Sequence, residues 1–226
     1  MTTIAVIGDT HTELAQARDL LLAAEIRCGR KFAHVFSVGD LGLFLSAQDW
    51  NFLTGPKKHR HPERSEELRA VWEAWPWPTS QIAGNHEPFN RLRDWQPEYF
   101  GGKLSYTHAG AVPHDIPGLR VAGLSGILHP EHLDFQTIEE RRTQICNAPC
   151  PQSWAHMVEL VRKGHITPKR LTYYHEDEIE LVKSLPRHPH LLLTHDWPVK
   201  PAYAREVHPR RPEGEILDAL QPQFAC

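Results

Sequence analysis

Four short apolar segments of this chain each end in residues that commonly bind metal ions, and this feature constrains the fold more than any other. Three of the segments end in glycine followed by Asp or Asn, and the fourth ends in Thr-His. A glycine lets the backbone turn sharply after a strand, so that the next side chain points into the space beyond it. The segments are 3–7, 32–38, 80–83 and 190–194, and the polar residues after them are Asp9 with His11, Asp40, Asn85 with His86, and His195.

These four segments are short and rich in aliphatic residues, which is typical of buried β-strands. In open α/β sheets, binding sites form outside the carboxyl ends of the strands. A single Gly-Asp step is as often a structural turn or a helix N-cap as a functional residue. Four strand ends in succession that each carry a metal-ligand residue are rarely coincidental, and they predict one shared site.

Helical spacing of apolar residues between and after these strands predicts an α/β fold. The predicted helices are 14–28, 65–75 with Ser65 as N-cap, 176–184 and 213–220, and further strands are predicted at 104–106 and 120–124. Residues 127–170 are rich in Pro, His and charged residues, and we interpret them as an insertion with one helix near 153–163. The chain lacks repeats and Gly/Ser linkers, so we expect a single domain over 1–226.

Composition excludes several functional classes. With 226 residues and a net charge of −3, the chain can build a sizeable core but has no global attraction for nucleic acid. Its apolar runs are too short to span a bilayer, and no basic region precedes an apolar stretch at the N-terminus. We therefore expect a cytoplasmic protein without membrane association. Four cysteines in a chain of this length do not predict a disulfide framework.

The residue types at the strand ends suit particular ions. Mixed Asp, His and Asn ligands favour borderline divalent ions rather than calcium, with Mn preferred and Fe, Zn or Co as alternatives. A carboxylate such as Asp40 can bridge two ions, and two ions about 3.5–4 Å apart can activate a water and hold the oxygens of a phosphoryl group. The sequence therefore predicts a centre with two divalent metal ions.

These motifs, in this order and spacing, resemble those of the calcineurin-like metallophosphoesterase family. The motifs are Gly8-Asp9-Thr10-His11, Gly39-Asp40, Gly84-Asn85-His86-Glu87 and Thr194-His195. The resemblance implies two facing mixed β-sheets flanked by helices, a four-layer αββα sandwich. It also implies that Asp9, His11 and Asp40 hold one metal and that Asp40, Asn85 and His195 hold the other. His86 would lie beside the metals as an acid or a stabiliser of phosphate charge.

Within that family, the chain resembles the RNA lariat-debranching enzymes. The segments that carry this likeness are 84–87, 122–127, 173–175 and 194–198. Those enzymes commonly have cysteine where Asp9 stands, and the 127–170 insertion has no clear match to their substrate-recognition loop. The family's Gly-His-x-His motif does not occur in the sequence. Because residues 215–226 read as a helix, a proline turn and the start of an apolar strand, we expect a chain truncated just before that motif; the alternative is a natural member that dispenses with it.

The leading functional hypothesis is hydrolysis of phosphodiesters in nucleic acid or nucleotides. A hydroxide bridging the two ions would attack phosphorus in line, and His86 would help the leaving oxygen depart. Two alternatives remain open, a phosphomonoesterase acting on proteins or small molecules and a non-catalytic scaffold with a degenerate metal site. We expect a phosphate-ester substrate, with RNA or single-stranded nucleic acid as candidates.

One basic cluster has two interpretations. Lys57, Lys58 and Arg60 lie close together in a segment that also contains His59 and His61. Such runs are usually solvated loops. Alternatively, the cluster contacts the phosphate backbone of a substrate at the rim of the site.

Overall fold

The structure, a computed structural model, describes residues 2–54, 57–92, 102–127, 159–160, 163–165, 167–174, 176–196 and 212–226. The predicted helix near 153–163 and most of the 127–170 insertion lie outside these residues. No helix within the described part of the chain has the length and apolar character needed to cross a membrane.

The described strands form two four-stranded sheets, which confirms the predicted α/β class and the pair of sheets. The first sheet contains, in spatial order, β1 (Thr3–Ile7), β2 (Phe32–Ser37), β3 (Thr79–Ile82) and β4 (Leu104–Thr107). All its neighbouring strands are parallel. The second sheet contains β5 (Ala109–Ala111), β6 (Val121–Leu124), β7 (Leu191–Thr194) and β8 (Phe224–Ala225). It is mixed, because β5 is antiparallel to β6 whereas β6, β7 and β8 are parallel.

Helices cover the outer faces of both sheets. They are α1 (Leu14–Cys28), α2 (Ser65–Glu73), the short α3 (Phe89–Leu92), α4 (Glu176–Lys183) and α5 (Pro212–Leu220). Short 3₁₀ helices lie at Asp49–Phe52, Lys57–His59, Pro62–Arg64 and Pro168–Thr172. The helices predicted from apolar spacing are therefore confirmed within one or two residues at each end, which is the usual uncertainty of helix termini.

The predicted N-cap role of Ser65 is wrong. Ser65 is the first residue of α2, its side chain caps no backbone N–H of that helix, and Arg64 occupies the cap position. The Ser65 hydroxyl instead accepts a hydrogen bond of 3.0 Å from the indole Nε1 of buried Trp50. The sequence pattern of a polar residue before an apolar run does not distinguish these two uses of a serine.

Three apolar cores hold the layers together. Between the sheets, Phe36 and Ile82 of the first pack against Val121, Leu191 and Leu193 of the second. Outside the first sheet, α1 and α2 pack with a tryptophan-rich loop, and all four tryptophans between residues 50 and 77 are buried. Outside the second sheet, α4 and α5 pack against β6 and β7. The order helix, sheet, sheet, helix is the predicted four-layer sandwich, and it aligns the carboxyl ends of β1, β2, β3 and β7.

Candidate metal centre

The structure brings all five predicted metal ligands together at one edge of the sandwich. Asp9 follows β1, Asp40 follows β2 and Asn85 follows β3, and these three strands are adjacent and parallel in the first sheet. His195 follows β7 in the second sheet, and its imidazole Nδ1 donates a hydrogen bond of 2.8 Å to the carbonyl of Val38 at the end of β2. That bond ties the two sheets together at the site.

One half of the centre consists of Asp9, His11 and Asp40, which offer ligand atoms that all lie within 4.8 Å of one another. His11 Nε2 lies 3.6 Å from Asp9 Oδ1, and His11 Nδ1 lies 3.6 Å from Asp40 Oδ2. The Asp9 and His11 side chains are 65% and 51% exposed, whereas that of Asp40 is 2% exposed. This half therefore opens to solvent and to any substrate.

The other half consists of His195, Asn85 and Asp40 and is less exposed, because the His195 and Asp40 side chains are 7% and 2% exposed and Asn85 is half-buried. His195 Nε2 lies 3.1 Å from Asn85 Oδ1 and 3.6 Å from Asp40 Oδ2. Because Nδ1 of this imidazole donates to Val38, Nε2 carries the lone pair in the neutral ring. Three acceptor atoms then face one another, an arrangement that a bound cation would satisfy. The donor set thus fits two divalent ions that share the Asp40 carboxylate.

Strained backbone accompanies the ligands. Asp9, His11, Thr12 and Asp40 have φ values of 53°, 44°, 75° and 52°, in the left-handed region that non-glycine residues rarely occupy. Such residues cost on the order of 1–2 kcal/mol each and persist where the surrounding contacts fix them. Here the N–H of Asp9 donates to the carbonyl of Gly39 at 3.1 Å, and that of His11 donates to the carbonyl of Asp40 at 2.9 Å.

Gly84 explains why a glycine precedes Asn85. A Cβ atom built on Gly84 would overlap the carboxylate of Asp40 and lie 2.6 Å from His195 Cε1. Only a glycine at position 84 leaves room for the side chains of Asp40 and His195 to lie this close to the backbone. The glycine of this motif serves the packing of the ligands as well as the turn.

Arg64 stabilises the exposed half of the centre by hydrogen bonds to the turn that follows His11. Its Nη1 donates to Thr12 Oγ1 at 3.2 Å and to Glu13 Oε1 at 2.9 Å, and Nη2 approaches the Thr12 carbonyl at 3.5 Å. Glu67 on α2 accepts hydrogen bonds of 3.3 and 3.4 Å from the same guanidinium. Arg64 thus connects α2 to the strained turn that carries His11. The sequence places Arg64 after the basic cluster but contains no signal of this contact.

Glu87 connects the loop that follows Asp40 to strand β3. Its side chain is fully buried and accepts hydrogen bonds from the backbone N–H groups of Leu41 at 3.1 Å and Gly42 at 3.3 Å, and from the Gln81 amide at 2.5 Å. Burial and the nearby Asp40 carboxylate raise the pKa of Glu87 to about 8. These contacts support the loop that carries Asp40.

His86 lies beside both halves of the centre. Its backbone N–H donates a hydrogen bond of 2.7 Å to Asp40 Oδ1, and its ring meets the His11 ring edge-on at a centroid distance of 5.5 Å. Burial lowers the pKa of His86, the Asp40 carboxylate opposes this, and neighbouring imidazoles add to it. The half-buried ring lines a cleft next to the ligands, where a group leaving the metal centre would pass.

The described residues of the basic cluster have different surroundings in the structure. The Lys58 side chain is exposed, whereas Arg60 Nη2 donates a hydrogen bond of 3.2 Å to the carbonyl of Leu53. The side chain of Lys57 lies outside the described residues. The neighbouring His59, His61 and Arg64 line the cleft. Sequence reasoning missed both histidines as site residues, and their proximity to a basic run was the available signal.

Thr54 supports Asn85 from the same segment. Its hydroxyl donates a hydrogen bond of 2.6 Å to the Asn85 carbonyl oxygen. The loop before the basic cluster is thereby attached to the metal centre. A threonine in a polar loop gives no sequence signal of this contact, which depends on how the loop returns over the sheet edge.

Comparison with curated proteins finds similarity to lariat debranching enzymes. The enzyme of Arabidopsis thaliana is 24% identical over 243 residues, which cover 98% of this chain and 52% of that protein. The enzyme of Mus musculus is 27% identical over 202 residues, covering 86% of this chain and 32% of that protein. The enzyme of Drosophila melanogaster is 26% identical over 249 residues, covering 98% and 41%. The resemblance inferred from the motifs is thus confirmed.

The chain spans about half the length, or less, of these curated relatives. No family model matches the sequence. Because the identities are low and the relatives are longer, these similarities alone do not establish the activity of this chain.

Proposed function

We propose that this chain is a metal-dependent phosphodiesterase that hydrolyses RNA or closely related nucleic-acid diesters. The observation that carries the proposal is the convergence of four further oxygen and nitrogen ligands around the shared Asp40 carboxylate, at an edge where a substrate can enter. The relatives named lariat debranching enzymes support an RNA phosphodiester as the substrate.

The ligand set divides into two overlapping groups. Asp9, His11 and Asp40 would hold one divalent ion, and Asp40, Asn85 and His195 would hold the other, with Mn as the preferred ion. Such ions activate water and neutralise charge on phosphoryl oxygens. Because Asp40 is 2% exposed and is fixed by the His86 N–H, its carboxylate is oriented before any ion arrives.

His86 is the residue that we assign to the leaving group. Its ring projects beside the ligands and lines the cleft, so a ring N–H can donate a hydrogen bond to the departing oxygen. A neutral imidazole retains one such donor, and the shift of its pKa therefore does not remove this role. The open side of His11 and Asp9 leaves space for the phosphoryl group itself.

Lys57 and Lys58 are proposed to contact the phosphate backbone of a longer substrate. They belong to the segment that also contributes His59 and His61 to the cleft, and the Lys58 side chain is exposed. Arg60 would act mainly by holding the loop through its bond to the Leu53 carbonyl. Replacing the two lysines with glutamine should raise the KM for RNA and flatten its salt dependence, while leaving a small diester unaffected.

The test is a substrate panel with added Mn. It compares linear RNA, 2′,5′-branched RNA, single-stranded DNA, bis-nitrophenyl phosphate and mono-nitrophenyl phosphate. We expect metal-dependent turnover of diesters that exceeds turnover of the monoester. Preference for the monoester would favour the phosphomonoesterase alternative. Metal binding without any turnover would favour the scaffold alternative.

A further inference from the structure

A cleft of about 450 Å³ lies directly beside the metal centre. It begins at the rings of His11 and His86 and ends at His59, His61 and Arg64, with Phe44, Trp50 and Leu53 as its apolar floor. A volume of this order is within the range that small-molecule sites occupy. The proposed metal ligation and the phosphoryl group use only the part of this space beside His11, and the part beside His59 and His61 has no role in them.

The floor of the cleft is rigid. Phe44 and Trp50 stack with ring centroids 4.6 Å apart and planes 24° apart, and both are almost fully buried. The Trp50 indole is fixed by its hydrogen bond to Ser65. His61 meets Trp50 edge-on at 6.0 Å, and its Nδ1 lies 3.1 Å from Glu63 Oε1. A ligand would therefore meet a preformed surface, with little side-chain ordering to oppose binding.

The charges of the cleft do not suit a second phosphate. Among its described lining residues, Arg64 is the one permanent cation, and it is paired with Glu13, which also lines the cleft. Four imidazoles supply most of the remaining polar lining; those of His11 and His86 belong to the metal centre, and those of His59 and His61 remain for the bound group. Imidazole faces stack on planar bases, and imidazole nitrogens exchange hydrogen bonds with base and sugar edges. This lining suits a neutral, planar, polar-edged group.

We infer that the cleft binds the nucleoside on the leaving-group side of the scissile phosphate. This inference rests on the proposed phosphodiesterase function, because His86 stands both beside the metal ligands and at the start of the cleft. A phosphate held at the centre presents its leaving oxygen to His86, and the group attached to that oxygen then extends over the floor toward His61. The cleft thus selects diesters with a nucleoside leaving group over those with a small alkyl group.

The kinetic experiment compares a dinucleoside monophosphate with its two methyl diesters, which each lack one nucleoside, in the Mn-loaded protein. The variants are His59→Ala and His61→Ala, singly and together, and His188→Ala serves as a matched control. His188 is an exposed histidine that precedes β7, whereas His195 follows the other end of that strand. Thermal unfolding of each variant checks that the fold is retained.

In the double variant, we expect the KM for the dinucleoside substrate to rise about tenfold, as the loss of one base contact predicts. The kcat value, and the KM of the methyl diester that lacks the leaving-group nucleoside, should stay unchanged. Equal effects on all three substrates, or no effect on any, would overturn the inference.

A second readout separates this inference from the proposed activity. Adenosine binding to the metal-free protein is followed by ligand-observed NMR, with inorganic phosphate as competitor. We expect binding that the double variant loses and that phosphate does not compete with. Competition by phosphate would identify an anion site and overturn the inference. If the wild type binds adenosine in this way but hydrolyses no diester, the proposed activity fails while the nucleoside site stands.

Discussion

Two buried carboxylates in this molecule, those of Glu25 and Asp40, have opposite surroundings. Glu25 accepts hydrogen bonds from Lys31 Nζ at 2.7 Å, from the Phe32 N–H at 2.7 Å and from Trp77 Nε1 at 2.9 Å. Asp40 accepts a hydrogen bond from the His86 N–H, and its other oxygen faces imidazole nitrogens at 3.6 Å without a hydrogen bond.

The difference separates a carboxylate whose hydrogen-bond donors lie within the chain from one that we propose binds metal ions. Burial alone would raise the pKa of Glu25, but its hydrogen bonds to Lys31, Trp77 and Phe32 hold that pKa at about 2. Glu25 therefore finds its donors within the chain. Asp40 stands in a strained backbone turn, beside other acceptor atoms, and its surroundings would be completed by cations.

The largest effect is expected for Asp40→Ala. Removing the shared carboxylate should abolish stable metal binding at both positions, because each ligand group depends on it. Asp9→Ala should weaken only the exposed position. Elemental analysis after desalting measures bound Mn in both variants. Two bound ions in the Asp40 variant would exclude Asp40 as the shared ligand.

His86→Ala should keep the metals and lose turnover. Removing one hydrogen-bond donor to a developing negative charge typically costs about 10²–10³-fold in rate, so kcat on a dinucleotide should fall by that amount. The loss should be smaller with a nitrophenol leaving group, whose departing charge needs less stabilisation. Unchanged kcat on the dinucleotide would remove His86 from the leaving-group role.

Glu25→Gln should affect stability and not metal binding. The lowered pKa means that Glu25 stabilises the fold above pH 4.5 and that this contribution is lost as pH falls toward 2. At pH 7 we expect the substitution to lower the free energy of unfolding by about 2 kcal/mol. This difference should shrink as the pH falls below 4.5, where Glu25 becomes protonated in the unfolded chain. Urea unfolding at pH 7 and pH 3 measures it, with the exposed Glu66→Gln as control. A constant difference at both pH values would contradict this assignment.

The smallest effect is expected for Arg64→Gln. Loss of the contacts to Thr12 and Glu13 should relax the strained turn, and it should weaken metal binding in the exposed half by about three- to tenfold. Calorimetric titration with Mn measures the affinities of the two positions separately. Arg64→Lys should restore part of the loss, and Arg18→Gln on α1 is the control. Equal weakening of both positions would indicate a general loss of structure instead.

Much of the fold and of the metal centre could be predicted from the sequence, because both depend on local patterns. Aliphatic runs that end in Gly-Asp or Gly-Asn mark strands β1, β2 and β3 together with their ligands, and parallel pairing then brings those strand ends to one edge. His195 was predicted in the same way, from Thr194 at the end of β7.

The contacts that surround the centre could not be predicted, since they join residues far apart in sequence. The Arg64 bond to Thr12 spans 52 residues, and the Glu87 bond to Leu41 spans 46. The basic cluster shows the same limit: its residues read as equivalent cations, yet the backbone turns Arg60 toward Leu53 and presents His59 and His61 to the cleft. Which side chain faces a site depends on loop geometry that residue types do not encode.

The most direct test of the central claim is anomalous X-ray diffraction from crystals of the protein grown with Mn. We predict two Mn peaks, with the Asp40 carboxylate between them, Asp9 and His11 on one side and Asn85 and His195 on the other. Peaks away from Asp40, or Mn bound only at the crystal surface, would contradict a shared-carboxylate metal centre at this edge of the sandwich.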